Sequence, residues 1–183
     1  MDIEEFGMID STFNAGEFLT YANGLFYKIL VAIMHDQLED IRHFIGEDVY
    51  QVLRETLQEA KEKQKQYVFK DIHIKNSIIT DIEVNKSVYK IKVFLQANFG
   101  DYMLNLNNGK LVSLNYFDTI YQKKRKYVLT FKKKVSTKTY GIVKKCPSCG
   151  APLNINDTGI CAYCGTIFNR NDYDWILTKL EIS

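Results

Sequence analysis

Residues 88–99 read Val-Tyr-Lys-Ile-Lys-Val-Phe-Leu-Gln-Ala-Asn-Phe, and their apolar and polar side chains alternate almost without interruption. Every odd position from Tyr89 to Phe99 is apolar, and Phe94 is the one large apolar side chain at an even position. A period of two is typical of a β-strand with one buried face and one wet face. The segment therefore predicts a strand whose odd positions pack on a core.

The flanking segments extend this strand into an antiparallel meander. Residues 68–84 have strand character, and Asn85-Lys86-Ser87 is a plausible hairpin turn before residue 88. Residues 105–109 predict the next turn, and strand character continues over residues 111–135 and over residues 173–182. One face of the third segment carries Tyr127, Leu129 and Phe131, and the other carries Lys126, Thr130, Lys132 and Lys134. Four strands are expected.

Three helices are predicted ahead of the meander. Apolar residues recur with helical spacing over residues 13–34, and a shorter helix is expected from His35-Asp36 to Gly46, where the glycine is a natural stop. The acidic pair Glu47-Asp48 predicts the start of a third helix, which ends in the polar residues 61–66. The expected fold class is therefore α+β, with helices packed on a curved, four-stranded antiparallel sheet.

The four cysteines of the chain form two matching knuckles. Cys146 and Cys149 precede Gly150, Cys161 and Cys164 precede a second glycine, and eleven residues separate the two pairs. This spacing lets four thiolates meet one tetrahedral zinc ion at about 2.3 Å, with the glycines allowing close turns. Four protein ligands leave no open coordination position, so the Zn²⁺ is expected to be structural. No catalytic residues are predicted. A disulfide pair, a redox dithiol and a rubredoxin-like iron site are the alternatives.

The zinc ribbon is predicted to be an insertion before the last strand. We expect the ribbon at residues 139–170 and the main domain at residues 1–138 and 171–183, because about 30 residues cannot build their own core. The ribbon could stabilise the fold, dock a partner protein or form a dimer contact, and the sequence leaves both this choice and the oligomeric state open.

Composition indicates a folded intracellular protein. The chain is 46% hydrophobic and 25% charged, with a net charge of +2. Paired thiols suit a reducing compartment, and the acidic start differs from a signal peptide, which predicts a cytoplasmic location. The most apolar run, residues 25–34, is too short to cross a bilayer. Basic residues are concentrated in residues 110–145, where they could face anionic lipid or be a solvated strand face.

Residues 26–45 and 47–53, together with Asp174-Trp175-Ile176-Leu177, resemble the Tim forty-four-like domain. This domain is the C-terminal part of a peripheral subunit of the mitochondrial inner-membrane protein translocase and also occurs in bacterial proteins. Its fold is the cone of the nuclear transport factor type. The resemblance covers about residues 13–135 and 172–182, and it includes no counterpart of the basic N-terminal region of the mitochondrial protein.

The resemblance implies a non-enzymatic accessory domain that is linked to protein transport. It further implies that a hydrophobic ligand, lipid or protein partner binds between helices and sheet, that the domain is peripheral to a membrane, and that Asp36 caps the second helix. The apolar residues expected to line such a pocket are Tyr21, Leu25, Ile29, Tyr89, Ile91, Val93, Leu95, Tyr127, Leu129, Phe131 and Trp175. Each of them would serve equally well as an ordinary core residue.

Two other functions are considered. An enzyme could use Asp71 and His73 as an acid/base pair in the cone, although fold analogy gives no reaction. Nucleic acid could bind where aromatic residues interleave with the basic stretch, but the low net charge and the acidic first third make this partner unlikely. The aromatic residues in question are Tyr121, Tyr127, Phe131, Tyr140 and Tyr163.

Overall fold

A computed structural model describes residues 1–114, 123–135, 145–146, 150–152, 163 and 175–183. Its helices are α1 (Ile3–Ile9), α2 (Ala15–His35), a 3₁₀ helix (Leu38–Phe44) and α3 (Glu47–Glu62). Its strands are β1 (Lys65–Val84), β2 (Val88–Asn105), β3 (Leu111–Ser113), β4 (Lys123–Lys134) and β5 (Ile176–Ile182). The predicted α+β class is confirmed.

The strands form one antiparallel sheet in the order β1-β2-β4-β5, with β3 paired to the far end of β2. The hairpin at Asn85 is confirmed, since its amide donates to the Val88 carbonyl at 3.1 Å. The predicted count of four strands is wrong, because the described residues form five. The turn after Asn105 folds the chain back on the end of β2, so residues 111–113 pair there before β4 begins.

The central strand follows the predicted alternation closely. Along β2, every odd residue from Tyr89 to Phe99 is buried and the even residues are only partly buried. Strand β4 pairs with β2 residue for residue from Lys134 to Lys123, so Tyr127, Leu129 and Phe131 share the inward face. Helix α2 contributes its buried side to the same core, which contains Phe18, Leu25 and Ile29. The core therefore lies between α2 and one face of the sheet.

The helical region departs from expectation at three places. Helix α1 was not predicted, although Asp2 and Glu5 form a reciprocal capping box at its start. Asp36 was expected to cap the short helix that follows it, but the N-cap of that 3₁₀ helix is Gln37. Asp36 is instead the C-cap of α2, in a left-handed conformation (φ 56°), and its carboxylate contacts Lys61 Nζ at 2.6 Å. Gly46 is the N-cap of α3 rather than a C-terminal stop, and its amide donates to the Leu177 carbonyl at 2.7 Å.

Candidate functional site

The predicted pocket residues lie on the facing surfaces of α2, β2 and β4, and at Trp175 directly before β5. Ten of these residues are buried and Tyr21 is half-buried. The rings of Tyr21 and Phe131 are 5.9 Å apart, and Tyr127 lies 4.8 Å from Phe26, a buried residue of α2 that was not in the predicted set. The structure thus brings the predicted set together in one ring-rich interior.

Tyr21 connects this interior to the last strand. Its phenol O–H donates a hydrogen bond of 2.6 Å to the backbone carbonyl of Trp175. Trp175 is fully buried, and its ring lies 5.1 Å from Phe18 and 6.4 Å from Phe6 in edge-to-face arrangements. This hydrogen bond therefore connects helix α2 to the residue directly before β5, inside an aromatic cluster.

A buried ion pair lies at the Trp175 end of the interior. Lys133 continues the inward face of β4 beyond Phe131, and its side chain is 1% exposed. Its Nζ lies 3.5 Å from Oδ2 of Asp10, whose side chain is fully buried. Oδ2 makes no hydrogen bond, so this contact is ionic. The other oxygen, Oδ1, accepts hydrogen bonds from the backbone N–H and the hydroxyl of Thr12.

A second ion pair lies at the opposite end of the same strand face. Arg125 donates from Nη2 to Oδ2 of Asp101 at 2.7 Å, and the guanidinium lies 4.7 Å from the centre of the Phe99 ring. Both side chains are largely buried. Burial raises the pKa of the neighbouring Tyr127 phenol, and the positive charge of Arg125 opposes this shift. The inward face of β4 thus carries three apolar residues between two paired cations.

Neither ion pair was predicted, although the sequence contained part of the signal. Arg125 and Lys133 have the same odd parity as Tyr127, Leu129 and Phe131, so the alternation places them on the inward face. Burial of a lysine or arginine normally requires a partner. The acidic partners come from distant segments, and the sequence pattern does not identify them.

The opposite, outer face of the sheet carries a polar groove of about 810 Å³ beside the start of α3. Lys90, Lys92, Lys132 and Lys179 line this groove, together with Glu47, Asp48 and Glu181. Lys90 contacts Glu83 at 2.6 Å, Lys92 contacts Asp81 at 3.0 Å and Lys179 contacts Glu181 at 2.7 Å. The predicted lysine-bearing face of β4 is confirmed, since Lys126, Lys132 and Lys134 are exposed. Of the lysines that line the groove, Lys90, Lys92 and Lys179 on the neighbouring strands lie beside carboxylates.

The first cysteine knuckle is described only at its two ends. Cys146 is buried, its N–H donates to the Ala151 carbonyl at 2.7 Å, and Gly150 N–H donates to the Cys146 carbonyl at 2.8 Å. Gly150 has φ +74°, a conformation that favours glycine. Cys149, Cys161 and Cys164 lie outside the described residues, as do most of residues 139–170.

The residues of the alternative enzyme hypothesis do not form an enclosed site. Asp71 and His73 are both exposed on β1, and Asp71 sits at an irregularity of the strand with φ 53°. Solvent exposure removes the shielded environment that an acid/base pair in a cone would need. Of the aromatic residues considered for nucleic acid, Tyr127 and Phe131 are buried in the core, Tyr163 is exposed, and Tyr121 and Tyr140 lie outside the described residues.

None of the helices within the described residues is long and apolar enough to cross a bilayer.

Comparison with known proteins identifies the family of this chain. A search of curated protein sequences gave no match. Among solved structures, the intermembrane space region of the chloroplast protein ARC6 is similar with a TM-score of 0.48 and 7% identity, over 93% of this chain and 96% of that one. The family model of the Tim44-like domain matches residues 2–142. Since this match spans more than half of the 183 residues, the chain belongs to the Tim44-like domain family.

Proposed function

We propose that this chain is a non-enzymatic accessory domain that binds an apolar or amphipathic ligand in the interior between α2 and the sheet, in a role linked to protein transport. Membership of the Tim44-like family supports the accessory role. The observation that carries the ligand site is the aromatic interior with a buried ion pair at each end of β4.

The two ion pairs support a role beyond stability. Replacing a buried pair by well-packed apolar side chains is often neutral or stabilising, because the desolvation of both charges offsets their attraction. The presence of Arg125–Asp101 and Lys133–Asp10 in the interior is therefore not explained by folding stability alone. Charges at both ends of an apolar interior are suited to orienting a ligand that has a polar head and an apolar body.

Native mass spectrometry of the purified chain tests the ligand site. We expect a fraction of the intact protein to retain extra mass that corresponds to an amphiphile and that disappears on denaturation. Leu129→Trp, which would add a large ring at the fully buried centre of β4, should abolish this mass, while Val112→Trp on the exposed edge should not. Retained mass in both variants would place the ligand elsewhere.

We further propose a structural zinc ion held by Cys146, Cys149, Cys161 and Cys164. The turn at Gly150 and the burial of Cys146 support it, since both suit a thiolate knuckle. Elemental analysis should give one zinc per chain, and Cys146→Ser should lose it. Tyr163→Ser is the matched control, because it removes an exposed side chain between two cysteines and no thiolate. Iron instead of zinc, or a metal-free native protein, would contradict this assignment.

Peripheral association with an anionic membrane is a second candidate function. The lysines of the outer groove favour it, and the carboxylates that pair with them limit it. Flotation with vesicles of phosphatidylglycerol and phosphatidylcholine at low salt tests it. Binding should weaken as salt is raised and should fall in Lys132→Glu. Equal binding to vesicles of phosphatidylcholine alone would exclude an electrostatic mode.

A further inference from the structure

The first turn of α3 begins without a capping side chain. Its N-cap is Gly46, whereas α1 and α2 each begin with a residue whose side chain accepts a hydrogen bond from the first turn. Among the described residues, nothing accepts a hydrogen bond from the backbone N–H groups of Glu47, Asp48 and Val49. Three donors and the positive end of the helix dipole therefore lie open beside the outer groove.

A buried hydroxyl faces the same groove. Thr130 lies on the outer face of β4 between Lys92 of β2 and Lys179 of β5, and it is only 6% exposed. Its carbonyl accepts a hydrogen bond from the Thr178 hydroxyl at 3.2 Å. Its own hydroxyl has no partner within the described part of the chain, yet it is not sealed off from the groove that the residue lines. Since buried polar groups normally have a partner, this hydroxyl is suited to a ligand.

Lys132 supplies a cation at this place. It lies two residues from Thr130 on the same face of β4, and it lines the groove. The other three lysines of the groove each contact a carboxylate. No described residue forms an ion pair with Lys132, whose side chain is exposed. Its charge is therefore available to an anion that lies in the groove.

The carboxylates of the groove limit the charge of that anion. Glu181 contacts Lys179 at 2.7 Å, and Glu47 is bound by Arg42. Asp48, in contrast, is in no ion pair with the residues that the structure describes, so a ligand in the groove faces its negative charge. A group with one negative charge is repelled less by Asp48 than a group with two.

We propose that the outer groove binds a phosphodiester, whose phosphate carries one charge and two free oxygens. One oxygen caps α3 on the N–H groups of Asp48 and Val49, and the other accepts from the Thr130 hydroxyl and the Lys132 ammonium. A tetrahedral group presents its oxygens to donors from two elements at once, whereas a planar carboxylate directs both oxygens to one side. The groove of about 810 Å³ has room for the groups esterified to the phosphate. Because it lies on the opposite face of the sheet, this site does not depend on the ligand proposed for the interior.

NMR titration of the full chain with dimethyl phosphate tests the site. The N–H signals of Asp48 and Val49 should shift to saturation, because these groups are the donors. Methyl phosphate at about pH 8 carries a second charge and should bind more weakly. Acetate, the planar probe, should also bind more weakly. Shifts that spread over the lysine-bearing strands and leave these two signals unchanged would overturn the site.

Two matched pairs of variants examine the donors. A side chain fits at Gly46, since a Cβ there would lie 3.5 Å from the Leu177 carbonyl oxygen. Gly46→Ser supplies its own capping oxygen and should bind dimethyl phosphate about fivefold more weakly, while Gly46→Ala adds no acceptor and should bind normally. Thr130→Val should also weaken binding about fivefold, while Thr130→Ser should retain it. A purely structural role of either residue would not separate the members of a pair.

A pair of lysine variants examines the cation. Lys132→Met should weaken binding of dimethyl phosphate about tenfold, because a charged donor is lost. Lys126→Met is the control and should leave the affinity unchanged. Lys126 is exposed on the same face of β4 and does not line the groove. Equal losses in both variants would reduce the effect to the general charge of the strand and overturn the role of Lys132.

The source of the diester is a separate question that two further probes answer. Glycerophosphoglycerol and vesicles of phosphatidylglycerol present the same diester, free and in a bilayer. Displacement of dimethyl phosphate by the soluble compound would identify a small ligand, and displacement by vesicles alone would identify a lipid headgroup; both results support the site. Vesicle binding that falls in Lys132→Glu but not in Gly46→Ser or Thr130→Val would retain the electrostatic membrane contact and overturn the phosphodiester site.

Discussion

Lys133 Nζ lies 3.5 Å from Asp10 Oδ2, and this contact joins the inward face of β4 to the segment that follows α1. Both side chains are removed from water, so each charge depends on its surroundings for compensation. The pair couples the sheet to the short helix α1, whose Phe6 ring also packs on Tyr89 and Trp175. The stability of this end of the domain should therefore depend on both residues jointly.

Single changes at this pair should destabilise the fold, and the double change should restore much of the loss. Asp10→Asn and Lys133→Met are each expected to lower the free energy of unfolding by about 3 kcal/mol, the lower end for breaking a buried pair, because each removes one partner and leaves the other charge buried. The double variant leaves no buried charge at this pair. Urea denaturation of the four proteins measures the coupling, and simply additive losses would contradict it.

Removal of the Tyr21 hydroxyl should weaken the connection between α2 and Trp175. Tyr21→Phe keeps the ring against Phe131 and loses the hydrogen bond to the Trp175 carbonyl. We expect a loss of about 1 kcal/mol in unfolding free energy. Urea denaturation followed by Trp175 fluorescence measures it. Tyr27→Phe, at an exposed position of the same helix, is the control and should change little.

Truncation at the centre of β4 should be among the most costly changes in the sheet. Leu129 is fully buried opposite Val93 on β2, so Leu129→Ala should cost about 2–5 kcal/mol through lost burial and the cavity that remains. Val112→Ala on β3 should stay within about 0.5 kcal/mol, because that side chain is half-exposed. Similar losses for both variants in thermal or urea denaturation would be inconsistent with this core.

The Asp81–Lys92 pair should shift the titration of Asp81. The hydrogen bond from the Lys92 ammonium holds the pKa of the Asp81 carboxyl below its usual value. A lowered pKa adds stability above the unfolded-state pKa of about 3.9, and this stability is lost as the pH falls through the folded-state value. Carboxyl NMR titration should show the low midpoint, and Lys92→Met should raise it. Because both side chains are partly exposed, high salt should reduce the shift.

The periodic segments were predictable because periodicity is a local property of the chain. The alternation in residues 88–99 and the three apolar residues of β4 gave the strands, their buried faces and the position of the hairpin at Asn85. The long helix α2 followed from its spacing in the same way. The same local information places the predicted pocket residues inside the domain.

Short elements and chain reversals were predicted less well. Helix α1 has too few residues for a helical period, and its capping box was the available signal. Aspartate is favoured at the N-cap of a helix, so the sequence predicted that role for Asp36, and its left-handed position at the end of α2 appears only in the structure. Strand β3 has three residues and exists because the preceding turn brings it beside β2.

The sequence by itself determined the α+β class, the inward residues of β2 and β4, and the cysteine spacing that predicts zinc. Tertiary structure alone decided which carboxylates meet Lys133 and Arg125, and that Tyr21 reaches a carbonyl 154 residues further along the chain. Alternation fixes the side of a strand on which a residue lies, since it depends only on neighbouring backbone geometry. The partner of a buried charge depends instead on which distant segment packs against that face.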